Sequence, residues 1–209
     1  MHNQILDVMT VSGDDIPYKE LRIEKLDERH LGLLGKFETD VKDLKDFLVE
    51  DAYNNQQLGI STTYLWFYNP TNELVAYVTV LTDAIRVHGT QLGKMFVDMG
   101  VQYKTLPALK IGRMCVHEKY CGRGIGTYIV QYVMHILLEI NEKSGCRFIV
   151  LDAKTDTGAH RFYTKSGFQV LKQREKGTIP MFYDMIKVIE YYRENKNKLL
   201  RFGIRGGTT

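Results

Sequence analysis

The run Cys121-Gly122-Arg123-Gly124-Ile125-Gly126 puts three glycines at alternate positions directly ahead of a helix-forming segment. The first turn of a helix carries unpaired N–H groups and the positive end of the helix dipole, so it attracts phosphate oxygens. Glycine has no Cβ to hold a pyrophosphate away from those amides, and Arg123 adds a positive charge. A plain glycine turn before a helix has the same pattern, and the residues alone leave both readings open. No Lys-Ser/Thr follows, which excludes a nucleoside-triphosphate loop of the Walker type. The run does not follow the first strand of a βαβ series with a ribose-binding acid downstream, which disfavours a dinucleotide fold.

Cysteine and histidine offer a second chemistry. Cys115, His117 and Cys121 are spaced Cys-x-His-x3-Cys, but they lack a fourth ligand and a paired Cys-x-x-Cys, so no metal site is expected. Cys121 stands close to the start of a helix, where a thiolate is stabilised, and it is expected to be reactive and to be shielded by a ligand in the loop. Covalent transfer through a cysteine would also need an oriented His and Asn or Asp, and no such set is identifiable. His117, Glu118, Asp152 and His160 can take up a proton, yet nothing in the sequence singles one out as a base.

These residues need elements to position them. Ile125, Tyr128, Ile129, Tyr132, Val133, Ile136, Leu137 and Ile140 recur at i, i+3, i+4, i+7, which predicts a long amphipathic helix over 125–140. Cys146 to Leu151 reads as a strand buried on both faces, and Ala159 to Lys165 as a short helix stopped by Gly167. Strands are further expected at Leu21–Leu26, Thr62–Tyr68, Leu74–Leu81, about 108–117, Phe168–Leu171 and Met181–Val188. Asn69-Pro70-Thr71-Asn72 makes a hairpin of the second and third. Asp27 caps a short helix to about Leu34, and Val41, Leu44, Leu48 and Ala52 lie at helical spacing in another that ends before Gly59. Residues 84–106 read as an irregular insertion with a short helix near Lys94–Met99. The chain thus divides into a loose lead-in (1–18), a mixed α+β domain (19–188) and a polar helical extension with a tail (189–209).

Composition bounds the function. The chain has 209 residues, a net charge of +3, 44% hydrophobic and 25% charged residues, which is ordinary globular usage and too little charge to argue for nucleic acid by itself. Residues 1–60 hold 7 basic and 13 acidic residues, whereas 187–209 hold 6 basic and 2 acidic. Three cysteines make no disulfide framework, the start lacks a signal-peptide pattern, and no apolar run is long enough to span a bilayer. A cytoplasmic protein with no membrane and no DNA partner is expected.

The strand Ile111-Gly112-Arg113-Met114-Cys115-Val116-His117, the loop and the long helix resemble the acyl-CoA motif of the GNAT superfamily of N-acetyltransferases, usually Gln/Arg-x-x-Gly-x-Gly/Ala. VLDAKTDTGAHRFYTKSGF resembles that superfamily's second signature, and the likeness spans roughly residues 20–188. Cys121 stands where the family usually has Gln or Arg. The resemblance implies a mixed, mostly antiparallel twisted sheet, splayed between its fourth and fifth strands, with helices on both faces. It implies acetyl-CoA as co-substrate, with the backbone of Met114, Cys115 and Val116 along the pantetheine arm. The amides of Cys121, Gly122, Arg123, Gly124, Ile125, Gly126 and Thr127 would hold the pyrophosphate, and Ala159 and Phe162 would also contact the coenzyme. Tyr163 would protonate the departing coenzyme A thiolate, and a backbone N–H near Val116 would serve the oxyanion.

The leading expectation is transfer of acetyl to a primary amine of a small molecule or protein, by direct attack. The acceptor would lie against the early helices, the 84–107 insertion and the final hairpin, and the acidic N-terminal third suits a cationic amine. Phe37, Asp43 to Leu48, Ala52, Ile111-Gly112-Arg113, Asp152-Ala153 and Phe162-Tyr163 also resemble the layout of toxins that acetylate aminoacyl-tRNA. Under that alternative tRNA becomes a partner. The intact loop and Tyr163 speak against a non-catalytic acyl-CoA sensor. Residues 189–209, with Tyr191, Tyr192, Leu199, Leu200 and Phe202, are candidates to cover a second subunit of a homodimer or the acceptor groove.

Overall fold

The computed structural model describes residues 15–155, 157–171 and 177–201. Residues 1–14 of the lead-in and the tail 202–209 lie outside the described residues, as do the side chains of Leu199 and Leu200. Strands β1 (Leu21–Lys25), β2 (Thr62–Tyr68), β3 (Glu73–Arg86), β4 (Thr105–Val116), β5 (Phe148–Lys154), β6 (Gln169–Val170) and β7 (Thr178–Asp184) form one sheet in the order β1-β2-β3-β4-β5-β7-β6. Every pairing is antiparallel except β4 with β5, which is parallel and spans only Ala108–Lys110 against Phe148–Val150. Beyond Lys110 and Val150 the two strands separate. The β5-facing edge of Ile111–Val116 is therefore left without a strand partner.

Helices α1 (Leu31–Leu34), α2 (Lys42–Asp46), α3 (Ala52–Gln57), α4 (Gln91–Asp98), α5 (Ile125–Lys143), α6 (Ala159–Lys165) and α7 (Ile186–Arg201) cover both faces. Ile125, Ile129, Val130, Val133 and Leu137 of α5 are buried against Trp66, Val78, Leu109, Ile111 and Ile149. On the opposite face Leu34, Phe37, Leu48 and Ala52 pack on Leu65, Phe67 and Tyr77. The apolar stripe of α5 thus sets the position of the glycine loop at its N-terminus, as its periodicity predicts.

Two local irregularities shape the site. The β3–β4 register shifts between Thr79–Arg113 and Val80–Ile111, so Gly112 is an extra residue in β4. The bulge flips the alternation of side chains. Leu109 and Ile111 face α5, and so do Met114 and Val116, whereas Arg113 and Cys115 turn toward α2. Between α2 and α3 the helix widens into a π turn, Phe47–Asp51. At its start, the Phe47 ring lies beneath the Arg113 guanidinium, whose central carbon is 5.2 Å from the ring centre.

The stretch 84–106 is not an irregular insertion. β3 continues to Arg86 and pairs there with Thr105, and α4 fills the connection, capped by Thr90 Oγ1, which accepts from the Gly93 N–H at 3.1 Å. Phe96 of α4, Ile85, Val87, Phe148 and Phe182 form a separate small core. A Cβ on Gly93 would overlap the Val87 carbonyl group. Gly93→Ala is expected to cost about 1–3 kcal/mol of stability, read as a lower urea midpoint at unchanged slope.

The last strand ends earlier than Val188. Asp184 accepts from the Ile186 N–H at 3.0 Å and starts α7, while both its oxygens hold the Arg147 guanidinium at 2.7 Å. Helix α7 docks along the C-terminal half of α5, through buried Ile189 and through Arg193 to Asn141 at 3.0 Å. In its described residues it lies away from the glycine loop. Among the described residues no helix is long and apolar enough to cross a membrane.

Candidate active site

The separation of β4 from β5 opens a cleft of about 870 Å³ that runs from the glycine loop to α2. One wall is Ile111–Val116 of β4, and the other is Leu151–Lys154 of β5 with Ala159, Phe162 and Tyr163 of α6. Asp15, Cys121, Gly122 and Gly124–Thr127 line the end beside α5, and Thr39–Val41, Asp43 and Leu44 line the end beside α2. The cleft is therefore open to both faces of the sheet, which suits two reactants meeting from opposite sides.

At the loop end, a 3-10 turn Glu118–Tyr120 leads into Cys121, and Gly124 is the N-cap of α5. Gly122 and Gly124 have φ of +76° and +78°, the left-handed region in which a Cβ is strained. A Cβ on Gly122 would meet nothing within 4 Å, so that side of the loop faces open space. A Cβ on Gly126 would lie 3.1 Å from Phe162, so this glycine lets the ring pack on the first turn of α5. Behind the loop the Tyr120 hydroxyl and Lys119 both bond Glu73, which anchors the turn to the start of β3.

At the centre, Tyr163 is buried, with its hydroxyl 3.8 Å from Met114 Sδ and its ring against Phe162 and Phe168. Burial, with Cys115 nearby, raises its pKa, so the phenol stays protonated near neutral pH and carries a proton it can give rather than acting as a base. On the α2 side two lysines make three ion pairs. Lys110 Nζ is 2.8 Å from Asp152 and 3.6 Å from Asp83, and Lys154 Nζ is 2.5 Å from Asp43. Burial alone would lower the pKa of Lys110, but its carboxylate partners outweigh this and raise it. The bond from Lys154 lowers that of Asp43.

Residues 61–170, more than half of the chain, match the acetyltransferase (GNAT) domain family. The chain belongs to the GNAT acetyltransferases. Solved structures of similar shape include AtaT complexed with acetyl-methionyl-tRNAfMet, at a TM-score of 0.71 and 20% identity over 82% of this chain and 99% of that one. A tyrosine-to-phenylalanine mutant of KacT matches at 0.71 and 22%, covering 82% and 98%. AtaTR bound with AcCoA matches at 0.65 and 20%, covering 84% and 99%. At such identities the likeness speaks for the fold, and the seven strands with one parallel pair are that fold. The GNAT enzyme is an acetyl-CoA-dependent acyltransferase.

The GNAT cleft gathers nearly all the residues named from sequence. Met114, Cys115, Val116, Cys121, Gly122, Gly124, Ile125, Gly126, Thr127, Ala159, Phe162 and Tyr163 all line it. Arg123 does not; its guanidinium turns back over the Tyr120 ring at 5.7 Å, and its carbonyl accepts from Ile16. Of the four titratable residues considered, Glu118 and Asp152 line the cleft. His117 packs edge-on to Phe37 and Tyr120, and His160 Nδ1 is buried without a partner among the described residues. Asp15, Lys110 and Lys154 also line the cleft, and no local signal in the sequence marks them. Helix α4 does not line this cleft; Arg86, His88 and Thr90 at its stem line a second groove of about 360 Å³ beside Lys110 and Asp152.

Cys121 departs from expectation. It lies three residues before the N-cap of α5, and its thiol points at the Val116 and His117 carbonyls, at 3.6 and 3.7 Å. Burial and the charges of Asp40 and Glu118 raise its pKa, so it is not an activated thiol. Cys115 is buried, bonded to Thr39, and pushed up to about 11. Iodoacetamide is expected to label Cys121 more slowly than a free thiol at neutral pH, with coenzyme A slowing it further; mass spectrometry of the labelled peptides gives both rates. Equal rates with and without coenzyme would exclude contact between Cys121 and the ligand. Among the described residues no group of three or more His, Cys, Asp or Glu side chains is arranged to hold a metal ion.

Proposed function

We propose that acetyl transfer takes place where β4 and β5 part, by direct attack of a primary amine that enters from the α2 face. The observation that carries this reading is a cleft open to both faces of the sheet, with a buried tyrosine at its middle. Bound acetyl-CoA supplies the acetyl thioester. The amides of residues 121–127 bind its pyrophosphate, and the unpaired edge of Met114–Val116 aligns the pantetheine arm. An N–H of that edge, near Val116, stabilises the carbonyl oxygen as negative charge develops on it. As the new carbon–nitrogen bond forms and the carbon–sulfur bond breaks, the Tyr163 hydroxyl gives its proton to the leaving thiolate, and the proton lost by the amine returns to the phenolate through water.

The acceptor we favour is the α-amine of an aminoacyl-tRNA. AtaT, solved with acetyl-methionyl-tRNAfMet, matches over 99% of its own length, and the α2-side lip here carries Lys110, Arg113 and Lys154. A small cationic amine is the second reading, favoured by Asp40, Asp43, Glu118 and Asp152 in the same cleft.

Incubating the enzyme with acetyl-labelled coenzyme and charged tRNA, uncharged tRNA, polyamines or lysine peptides separates the two. Label that appears on charged tRNA and leaves it as N-acetyl amino acid after mild alkali is the expected result. Labelled polyamine or peptide with untouched charged tRNA would reverse the choice. KacTA, of similar shape, was solved in a complex with DNA, so a DNA duplex belongs among the binding controls.

A further inference from the structure

Asp15 lies outside the residues that match the family, yet its carboxylate sits at the glycine loop. A strap of residues 15–18 leads into β1 and is fixed at two points. The Ile16 N–H bonds to the Arg123 carbonyl at 3.1 Å, with the Ile16 side chain buried in the α5 core. The Tyr18 ring meets Tyr128 of α5 edge-on at 5.3 Å. With its neighbours pinned, Asp15 has its carboxyl carbon 2.9 Å, and one oxygen 3.1 Å, from where a Cβ on Gly124 would lie. It lines the same end of the cleft as Gly122, Gly126 and Thr127. Its charge also reaches the first turn of α5, where it adds to burial in raising the Tyr128 phenol. Gly124, the N-cap of that helix, has no side chain with which to cap it.

A carboxylate and a phosphate are both drawn to a helix N-terminus, and two anions a few ångströms apart repel. We propose that the Asp15 carboxylate holds the anion position of the loop in the free enzyme, and that the coenzyme pyrophosphate must displace it. Asp15 therefore sets the affinity for acetyl-CoA. The inference rests on the assignment of residues 121–127 to the pyrophosphate.

The test is calorimetric titration of the full chain with coenzyme A and with pantetheine, which lacks the pyrophosphate, for wild type, Asp15→Asn and Asp15→Ala. Both variants should bind coenzyme A roughly tenfold more tightly, with pantetheine affinity unchanged. Asp15→Ala should also melt lower than wild type when free, and the gap should close with saturating coenzyme. Coenzyme A affinity that is unchanged or weaker in Asp15→Asn, with wild type binding normally, would overturn the role of Asp15 and leave the loop assignment standing. No coenzyme A binding by wild type or either variant, all folded, would remove both.

Discussion

Tyr163→Phe is expected to lower kcat by about 10²–10⁴ while leaving coenzyme A affinity within about twofold. The substitution removes one hydroxyl and keeps the ring that packs on Phe162 and Phe168. The hydroxyl is 3.8 Å from a methionine sulfur, a weak acceptor, so its loss should move the melting temperature little. A fall of that size corresponds to about 3–5 kcal/mol of barrier, far more than one weak contact to sulfur supplies. The pH profile adds a second readout. Because burial raises the Tyr163 pKa, the phenol stays protonated up to strongly alkaline pH, and it should contribute no limb to the wild-type profile near neutrality. A variant with kcat within threefold of wild type would show that the thiolate takes its proton from elsewhere.

Gly124→Glu is expected to abolish measurable coenzyme A binding, a loss of roughly 100-fold or more. Two effects add. At φ +78° any Cβ strains the loop by about 1–2 kcal/mol, and here it would also press on Asp15. The new carboxylate then competes with the pyrophosphate for the same amides, and that electrostatic part should dominate. Gly124→Ala separates them, since it keeps the strain without the charge and should bind coenzyme A within about tenfold of wild type. Gly124→Glu that binds as wild type would remove residues 121–127 from the pyrophosphate site.

The parts of the molecule legible in the sequence are those whose signal is local. The α5 stripe repeats over many turns, so its helix, its buried face and the loop at its start all follow from spacing. Tyr163 and the edge of Met114–Val116 gain their place only through likeness to the family, because what joins them is a parting of strands that no single residue marks. The β3 extension was hidden for a related reason. Thr82, Asp83 and Ala84 are exposed where the strand leaves the body of the sheet, so apolar alternation stops although pairing continues to Arg86. The end of β7 is not legible in the sequence because Met185, Ile186 and Val188 suit a strand by type, while the turn depends on Asp184 and its distant partner Arg147. For Cys121, closeness in sequence to α5 does not set the thiol on the helix dipole, since it points at the Val116 and His117 carbonyls. Burial raises its pKa most, and the charges of Asp40, far away in the chain, and Glu118 add to it. Asp15 left no trace at all, since only the folded chain sets it beside a glycine more than a hundred residues on.

The three-residue pairing of β4 with β5 has a mechanical side. It acts as a short spine from which two stiff boards diverge, one made of β1–β4 and the other of β5–β7. From Lys110 to the tip at Val116, β4 extends about 20 Å at about 3.3 Å per residue. A turn of about 5° about that spine therefore shifts the outer lip of the gap by nearly 2 Å. A reactant bridging the two boards at their outer end, far from the spine, has the longest lever arm with which to hold their angle.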